Sequence, residues 1–211
     1  MTQGNQRRDV GTGGQTIADK AELREQILSA RRGVSPEQHA VESALLGTHL
    51  ETLVDRTETV CAYAPVGSEP GSTDLLDILW RRSARVLLPV TQTAADGSTM
   101  PLRWGTFRPN GLVRGRWGLL EPVEPWLPPE ALAEASTILV PALAVDRFGA
   151  RLGRGRGYYD HSLPFRNPQA RLIAVVRDTE VLEWVPTEPH DVSMTHALTP
   201  RAGITAAVGQ P

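Results

Sequence analysis

The chain has 211 residues, of which 40% are hydrophobic and 22% are charged, and its formal net charge is −2. This length predicts one globular domain rather than two, and the near-neutral charge argues against a general attraction to nucleic acid or to an anionic membrane surface. The single cysteine, Cys61, excludes an internal disulfide, and its apolar neighbours predict a buried structural thiol.

The N-terminal segment lacks the features of a targeting signal. Residues 1–15 are rich in Gly, Gln, Thr and Arg and contain no apolar run, which predicts a disordered leader and not a signal peptide or an anchor. No apolar run elsewhere approaches the roughly 18 residues that a membrane span requires. We therefore expect a cytoplasmic protein without a membrane partner.

Two helices are predicted at the start of the folded region. Apolar residues recur at helical spacing over residues 16–32, and Gly33 follows, which predicts an amphipathic helix that ends there. Ser35 is suited to be the N-cap and Pro36 the first residue of a second helix, which continues to about Val54.

The pattern then changes to short apolar runs that predict strands buried on both faces. These runs cover residues 59–64, 85–90, 137–142 and 171–176. A helical segment at 72–83 separates the first two, and strand–helix–strand order favours a parallel sheet. The expected fold is therefore a single three-layer α/β domain over residues 16–204, with a central, mostly parallel sheet flanked by helices and a C-terminal tail at 205–211. The Pro-, Gly- and Trp-rich segment 97–129 predicts short strands or a flap that faces the substrate.

The most informative segment, residues 140–160, contains a loop in which glycines alternate with arginines. Its candidate ligand-binding residues are Arg151, Gly153, Arg154, Gly155, Arg156 and Gly157. Glycines let the backbone turn its N–H groups toward an anion, and arginines add charged contacts to phosphate oxygens. The loop follows a predicted buried strand, where open α/β sheets bind their ligands. This pattern predicts a polyphosphate site.

Better-known phosphate loops do not fit this segment. The dinucleotide fingerprint started at Gly153 requires glycine at the position of Tyr158, and the P-loop requires a Gly-Lys-Ser/Thr sequence that is absent from the chain. A disordered RNA-binding tail is disfavoured because the Arg-Gly pattern is short, occurs once, follows a predicted strand and precedes Tyr158-Tyr159-Asp160. An RNA-binding module that uses this loop, with Trp104 or Trp117 as stacking platforms, is the non-enzymatic alternative, and the near-neutral charge weighs against it. An enzyme related to sugar-phosphate isomerases or CoA-transferases stays open as an alternative, since similar sheets carry those activities.

A triphosphate site also needs a divalent cation held by oxygen ligands. Asp160 follows the loop and Asp191 follows the last predicted buried strand, so both could reach one edge of the sheet. Taken alone, Asp191 is better explained by a helix cap or a surface ion pair than by a metal, and His190 is expected to be a packed, hydrogen-bonded side chain. Lys20 is the only lysine of the chain, and a compact ammonium group suits a phosphate contact.

Together these segments carry a resemblance to a known family. Residues 140–160, with 185–191 and 194–200, resemble the signature blocks of the 5-formyltetrahydrofolate cyclo-ligases, also called methenyltetrahydrofolate synthetases. The spacing of Lys20, Arg24 and Arg31 resembles the family's opening helix. Residues 63–69 and 117–122 resemble its first strand with the following loop and its central turn. The resemblance covers about residues 16–200.

The resemblance implies an ATP- and Mg²⁺-dependent closure of 5-formyltetrahydrofolate to 5,10-methenyltetrahydrofolate through a phosphorylated N5-formyl intermediate. The substrate would be a small molecule, with or without a polyglutamate chain, and the enzyme a monomer or weak homodimer without a nucleic-acid partner. Phosphoryl transfer requires mostly positioning and charge neutralisation, which arginines, backbone N–H groups and Mg²⁺ supply.

Residue roles follow from the same resemblance. The implied ATP-binding residues are Lys20, Arg24, Arg151, Gly153, Arg154, Gly155, Arg156 and Gly157, of which Arg154 and Arg156, with Tyr158, are also the implied catalytic residues. The implied metal ligands are Asp160 and Asp191. The implied folate-binding residues are Glu69, Met100, Trp117 and Tyr158. Glu180 departs from the family, which often has glutamine there, and a carboxylate lacks the amide's two donors for reading a nucleotide base.

Overall fold

The computed structural model describes residues 13–208, with side chains from residue 20 onward. The helices are α1 (Gly13–Arg32), α2 (Pro36–Leu53), α3 (Asp74–Arg82) and α4 (Tyr158–Ser162). Helix α2 begins as predicted, because the hydroxyl of Ser35 accepts a hydrogen bond from the backbone N–H of Gln38 at 3.2 Å and Pro36 occupies the first turn. None of the helices in the described part of the chain is long and apolar enough to cross a membrane.

The described residues also form thirteen strands. Their bounds are β1 (Thr59–Cys61), β2 (Arg85–Val90), β3 (Arg103–Thr106), β4 (Leu112–Arg114), β5 (Leu120–Pro122), β6 (Trp126–Leu127), β7 (Thr137–Pro141), β8 (Ala144–Asp146), β9 (Arg151–Leu152), β10 (Arg171–Val175), β11 (Val181–Leu182), β12 (His196–Thr199) and β13 (Gly203–Ala206). Each of the four strands predicted from apolar runs is therefore confirmed, although β1 is three residues shorter than its run.

Eight strands form one sheet in the order β13-β12-β10-β7-β1-β2-β3-β6. The five central strands, from β12 to β2, pair in parallel, whereas β13, β3 and β6 pair antiparallel at the two edges. Strands β11, β8 and β9 form a second, small sheet, and β4 pairs with β5 in a hairpin. The predicted α/β domain with a mostly parallel central sheet is confirmed.

Alternate residues of the central strands pack on opposite faces of the sheet. In β2, Val86 and Leu88 lie in a cluster with Leu46 of α2 and Leu76 of α3, while Leu87 lies in the other cluster, which the turns after β6 and α4 cover. This alternation produces three layers and explains why the strand sequences are apolar at nearly every position.

The predicted amphipathic face of α1 is confirmed in part, because Leu23 and Leu28 pack with Ile27 against the small sheet. Ile27 is buried against the small sheet, but Ala21 and Ala30 are exposed. The most deeply buried side chains on this helix are instead Lys20 and Arg31. Helix α1 therefore supplies charged groups to the loops beside the sheet as well as a short apolar face to the small sheet.

At both ends of the predicted domain, helix or strand structure continues past the predicted bounds. Helix α1 begins three residues before residue 16, and the predicted leader otherwise falls on residues 1–12, outside the described residues. The predicted tail 205–211 begins inside β13, whose last residue is Ala206. Beyond this strand, the backbone N–H of Val208 donates to the carbonyl of Arg147 at 2.7 Å.

Candidate active site

A cavity of about 290 Å³ opens at the carboxyl ends of three neighbouring parallel strands. Tyr63 and Ala64 follow β1, Thr91 follows β2, and Ala142 follows β7, and all four line it. The Arg-Gly loop after β9 forms another part of the wall. This is the edge at which open parallel sheets bind ligands.

The Arg-Gly loop has the backbone that the sequence predicts. Gly155 and Gly157 have φ angles of +89° and +74°, which a side chain would strain. The Nε of Arg24 donates to the carbonyl of Gly153 at 2.9 Å and so ties the loop to α1. Within residues 13–208, no hydrogen bond joins the backbone N–H groups of 153–157 to a backbone carbonyl, so these donors are free to bind an anion.

Two loop arginines contact residues predicted for the folate. The Nε of Arg154 lies 3.1 Å from Oε1 of Glu69. The guanidinium of Arg156 lies over the ring of Trp117, 4.1 Å from its centroid, and the ring of Tyr158 lies 6.2 Å from that of Trp117. The structure therefore joins the predicted phosphate side and the predicted folate side of the site through direct contacts.

Glu69 is a buried acid in the cavity wall, with 7% of its surface exposed. Its Oε2 accepts a hydrogen bond from the N–H of Val66 at 3.0 Å. Burial raises the pKa of this carboxyl group above its ordinary value, and the contacts with Val66 and Arg154 oppose that effect only in part.

Arg151 and Asp160 form a close pair beside the loop. The Nη2 of Arg151 donates to Oδ1 of Asp160 at 2.5 Å, and both residues line the cavity. The buried Nε of Arg151 has no hydrogen-bond partner among the described residues. The pair thus places a carboxylate in the cavity wall beside the loop, with the unsatisfied N–H of Arg151 enclosed behind it.

Lys20 and Asp191 form a second pair. The Nζ of Lys20 donates to Oδ2 of Asp191 at 2.8 Å, and the N–H of Glu188 donates to the same oxygen at 2.7 Å. Burial alone would raise the pKa of Asp191, but these hydrogen bonds and the positive charge of Lys20 hold it below its ordinary value. The packed position expected for His190 is wrong, because its side chain is mostly exposed beside Glu188.

The structure does not bring every predicted site residue to the cavity. Asp160 lines it, whereas Asp191 lies with Glu188 and His190, whose possible ligand atoms are all within 4.8 Å of one another. Met100 is exposed and is not part of the cavity wall. The aspartates' role as a shared metal site stays a prediction, as does the role of Met100.

Sequence reasoning missed two pairings near the site. Glu180 forms two hydrogen bonds of 2.7 Å with Arg31 and is buried, so the carboxylate that departs from the family pattern serves an internal ion pair. Glu121 lines the cavity and accepts hydrogen bonds from Thr91. No local pattern marks either pair, because the partners lie far apart in the chain.

Comparisons with known proteins show the family of the chain. Residues 16–200 match the 5-formyltetrahydrofolate cyclo-ligase family. A protein of Mycolicibacterium smegmatis named 5-formyltetrahydrofolate cyclo-ligase is 54% identical over 187 residues, which cover 89% of this chain and 96% of that protein. The protein of that name from Escherichia coli is 29% identical, covering 82% of this chain and 96% of its own length.

Solved structures show the same fold. The NMR structure of 5,10-methenyltetrahydrofolate synthetase from Aquifex aeolicus has a TM-score of 0.73 and 26% identity, covering 91% of this chain and 94% of that one. A 5,10-methenyltetrahydrofolate synthetase from Mycoplasma pneumoniae has a TM-score of 0.60 at 22% identity, covering 83% and 95%. Since the family match spans most of its length, the chain belongs to the 5-formyltetrahydrofolate cyclo-ligase family.

Proposed function

We propose that the protein converts 5-formyltetrahydrofolate to 5,10-methenyltetrahydrofolate in a reaction that requires Mg²⁺ and ATP and releases ADP and phosphate. The main support for this proposal is a single cavity in which the arginines of the Arg-Gly loop contact a buried carboxylate and an aromatic ring. A phosphate donor and a ring-shaped acceptor could therefore meet in the same space.

The residues of the loop fit a triphosphate. The backbone N–H groups of 153–157 are donors without a described backbone acceptor, and an anion supplies acceptors. Arg154 is about half exposed and is held by an ion pair that a phosphate could replace. When bound, Mg-ATP supplies the phosphoryl group that converts the formyl oxygen into a good leaving group.

Asp160 fits the role of a Mg²⁺ ligand, since Mg²⁺ prefers carboxylate oxygens and this one lies in the cavity wall. Asp191 is a second proposed Mg²⁺ ligand, although it lies outside the cavity wall. Lys20, which pairs with Asp191, is a proposed phosphate contact. Neutralising negative charge here favours phosphoryl transfer, because the transition state spreads charge over the phosphoryl oxygens.

The folate would occupy the part of the cavity next to Glu69, Trp117 and Tyr158. A buried carboxylate accepts hydrogen bonds from ring N–H groups, and the aromatic side chains offer flat surfaces to the ring system. In the proposed route, N10 attacks the carbon of the phosphorylated N5-formyl group as phosphate leaves. The protein's task is to hold N10 near that carbon while Arg154 and Arg156 stabilise the phosphate.

The direct test is to supply purified protein with 5-formyltetrahydrofolate, ATP and Mg²⁺ and to follow the near-ultraviolet absorbance of the methenyl product. We expect absorbance to rise only when all three are present. Product formation without nucleotide would refute the proposed mechanism and favour chemistry of the isomerase or transferase type.

A matched pair of arginine variants tests the loop. Arg154→Ala should weaken ATP binding, measured by calorimetry, because it removes a charged contact to phosphate. The control is Arg147→Ala, since Arg147 is a mostly exposed arginine whose Glu183 contact is long, at 3.9 Å. Equal nucleotide affinity in both variants and the wild type would exclude Arg154 from the ATP site.

A further inference from the structure

Glu121 is a buried acid in the cavity wall that the proposed mechanism does not yet use. It lies in β5, 9% of its surface is exposed, and it lines the same cavity as the Arg-Gly loop. Its Oε1 accepts hydrogen bonds from the backbone N–H of Thr91 at 2.9 Å and from the hydroxyl of Thr91 at 2.7 Å. One oxygen of the carboxylate is thus fixed to the end of β2.

The other oxygen, Oε2, is without a partner in the part of the chain that the structure describes. Both hydrogen bonds to the carboxylate reach Oε1, and Oε2 is not among the enclosed polar atoms that lack a partner. It lies against the backbone of Gly115, where a Cβ atom would occupy its place. Oε2 is therefore an acceptor without a described donor, on a residue that lines the cavity.

A mostly buried carboxylate oxygen without a donor is costly, and a ligand with N–H groups would satisfy it. Without a ligand, each oxygen of Glu69, the other buried acid of the wall, has a partner, one Val66 and the other Arg154, whereas Oε2 of Glu121 has none among the described residues. A reduced pterin ring presents an amino group and ring N–H groups as donors, whereas a triphosphate presents acceptors only. The free oxygen of Glu121 is thus matched to the ring.

We propose that Glu121 is a further substrate-recognition residue, whose Oε2 accepts a hydrogen bond from an N–H group of the reduced pterin ring. This inference rests on the proposed function. Strand β5 also leads back to Trp117 at the tip of the β4–β5 hairpin, so the contact with Thr91 places the acceptor and the aromatic ring on one rigid support.

Glu121→Gln tests the proposal with little change of shape. The backbone N–H of Thr91 can only donate, so the carbonyl oxygen of the new side chain must face Thr91. Its NH₂ group then takes the place of Oε2, and an acceptor becomes a donor at the position facing the ligand. We expect 5-formyltetrahydrofolate to bind roughly 10- to 100-fold more weakly, the range for losing a charged hydrogen bond, while Mg-ATP affinity stays unchanged.

Calorimetry should be run separately with 5-formyltetrahydrofolate and with a Mg-bound, non-hydrolysable ATP analogue. The control is Glu124→Gln, an exposed glutamate in the same segment that lies outside the cavity wall, which should bind both ligands like the wild type. Thermal unfolding of each variant checks that it is folded. Should Glu121→Gln fail to fold, Glu121→Asp should show the same selective loss, because a shorter carboxylate cannot reach both Thr91 and the ligand.

Three results would overturn the inference. Wild-type folate affinity in Glu121→Gln would show that Oε2 does not contact the ring. A loss confined to the ATP analogue would assign the carboxylate to the nucleotide. If the wild-type protein binds no reduced folate, the proposed function fails as well, and that outcome is visible in the wild-type titration before any variant is measured.

Discussion

The buried carboxyl group of Glu69 makes stability depend on pH in a predictable direction. Burial raises its pKa above the ordinary value of 4.5, so the folded protein binds this proton more tightly than the unfolded chain does. The corresponding stability is present below pH 4.5 and is lost as the pH rises through the raised pKa. At neutral pH the ionised group therefore opposes folding, a cost accepted at a residue proposed to bind the substrate.

Glu69→Gln should remove this dependence. The free energy of unfolding of the wild type, relative to that of the variant, should fall as the pH rises from about 4.5 toward neutrality. Denaturant unfolding of both proteins across that range measures the difference, and folate binding should be weakened in the variant. A difference that is constant with pH would mean that Glu69 titrates alike in the folded and unfolded chains.

Asp160→Asn tests the proposed role of Asp160 as a Mg²⁺ ligand. The amide carries no charge and is a weaker Mg²⁺ ligand, so we expect several-fold more Mg²⁺ for half-maximal activity. Asp77→Asn on α3, which lies on the other layer of the sheet and outside the cavity wall, is the matched control. An unchanged Mg²⁺ requirement in Asp160→Asn would leave Asp160 only its ion pair with Arg151.

Sequence reasoning identifies the loop arginines because residue type and spacing are local properties. It does not predict that Arg154 contacts Glu69, or that Lys20 pairs with Asp191, because the two partners of each pair lie in distant parts of the chain. The choice of partner is made by the packing of the whole sheet and not by any window of the sequence.

At the scale of elements, the turn between β8 and β9 depends on Gly149. Its φ is +86°, and a Cβ atom would collide with the backbone of Met194, whose N–H donates to the carbonyl of Gly149 at 2.8 Å. Gly97 has a similar φ of +85°, but no atom lies within 4 Å of the place that a Cβ atom would take there. Both positions would impose backbone strain on another residue, but only Gly149 would also impose a steric clash. Substitutions at the two positions therefore distinguish the two costs.

Gly97→Ala should cost only the strain of a left-handed residue, about 1–2 kcal/mol. Gly149→Ala should cost clearly more, because the Met194 segment must move and its hydrogen bond is disturbed. Denaturant unfolding of the two variants provides the comparison. Equal losses would mean that the Met194 segment shifts without resistance.

In the segment 97–129 the sequence predicts the kind of structure but not the bounds of the strands. The sequence predicts short strands or a flap, and the structure has four strands of two to four residues, β3 to β6. Strands this short contain too few residues for a period of two to be detected. The longer runs, such as β2 and β7, are predicted almost to the residue because they are buried on both faces.

At the scale of the molecule, the parallel centre of the sheet was predictable and its antiparallel edges were not. The strand–helix–strand order of β1, α3 and β2 implies parallel pairing. Strands β3, β6 and β13 pair antiparallel at the edges of the sheet, and their positions depend on the paths of the loops that lead to them. The cavity's position at the carboxyl edge follows from the parallel centre alone, which is why the Arg-Gly loop could be placed at this edge from the sequence.

A buried ion network connects the first two helices with this edge of the sheet. Arg31 of α1 bonds Glu180 and the carbonyl of Ala142, which follows β7. The N–H of Arg177 donates to Glu180 at 2.7 Å, and its guanidinium bonds Glu42 of α2 at 2.7 Å. Because Ala142 lines the cavity, this network fixes α1 relative to the site.

Arg31→Met should be strongly destabilising, by about 3–5 kcal/mol, because it leaves Glu180 buried without its main partner. Arg31→Met combined with Glu180→Gln should cost less than the two single changes added together, since the amide needs no counter-charge and can still accept from Arg177. Denaturant unfolding gives the coupling energy, and hydrogen exchange should show α1 amides opening more readily in Arg31→Met than those of β7. If the single losses simply add, Arg31 and Glu180 act independently, and α1 is then held at the site by Ile27 and its apolar contacts with the small sheet rather than by charge.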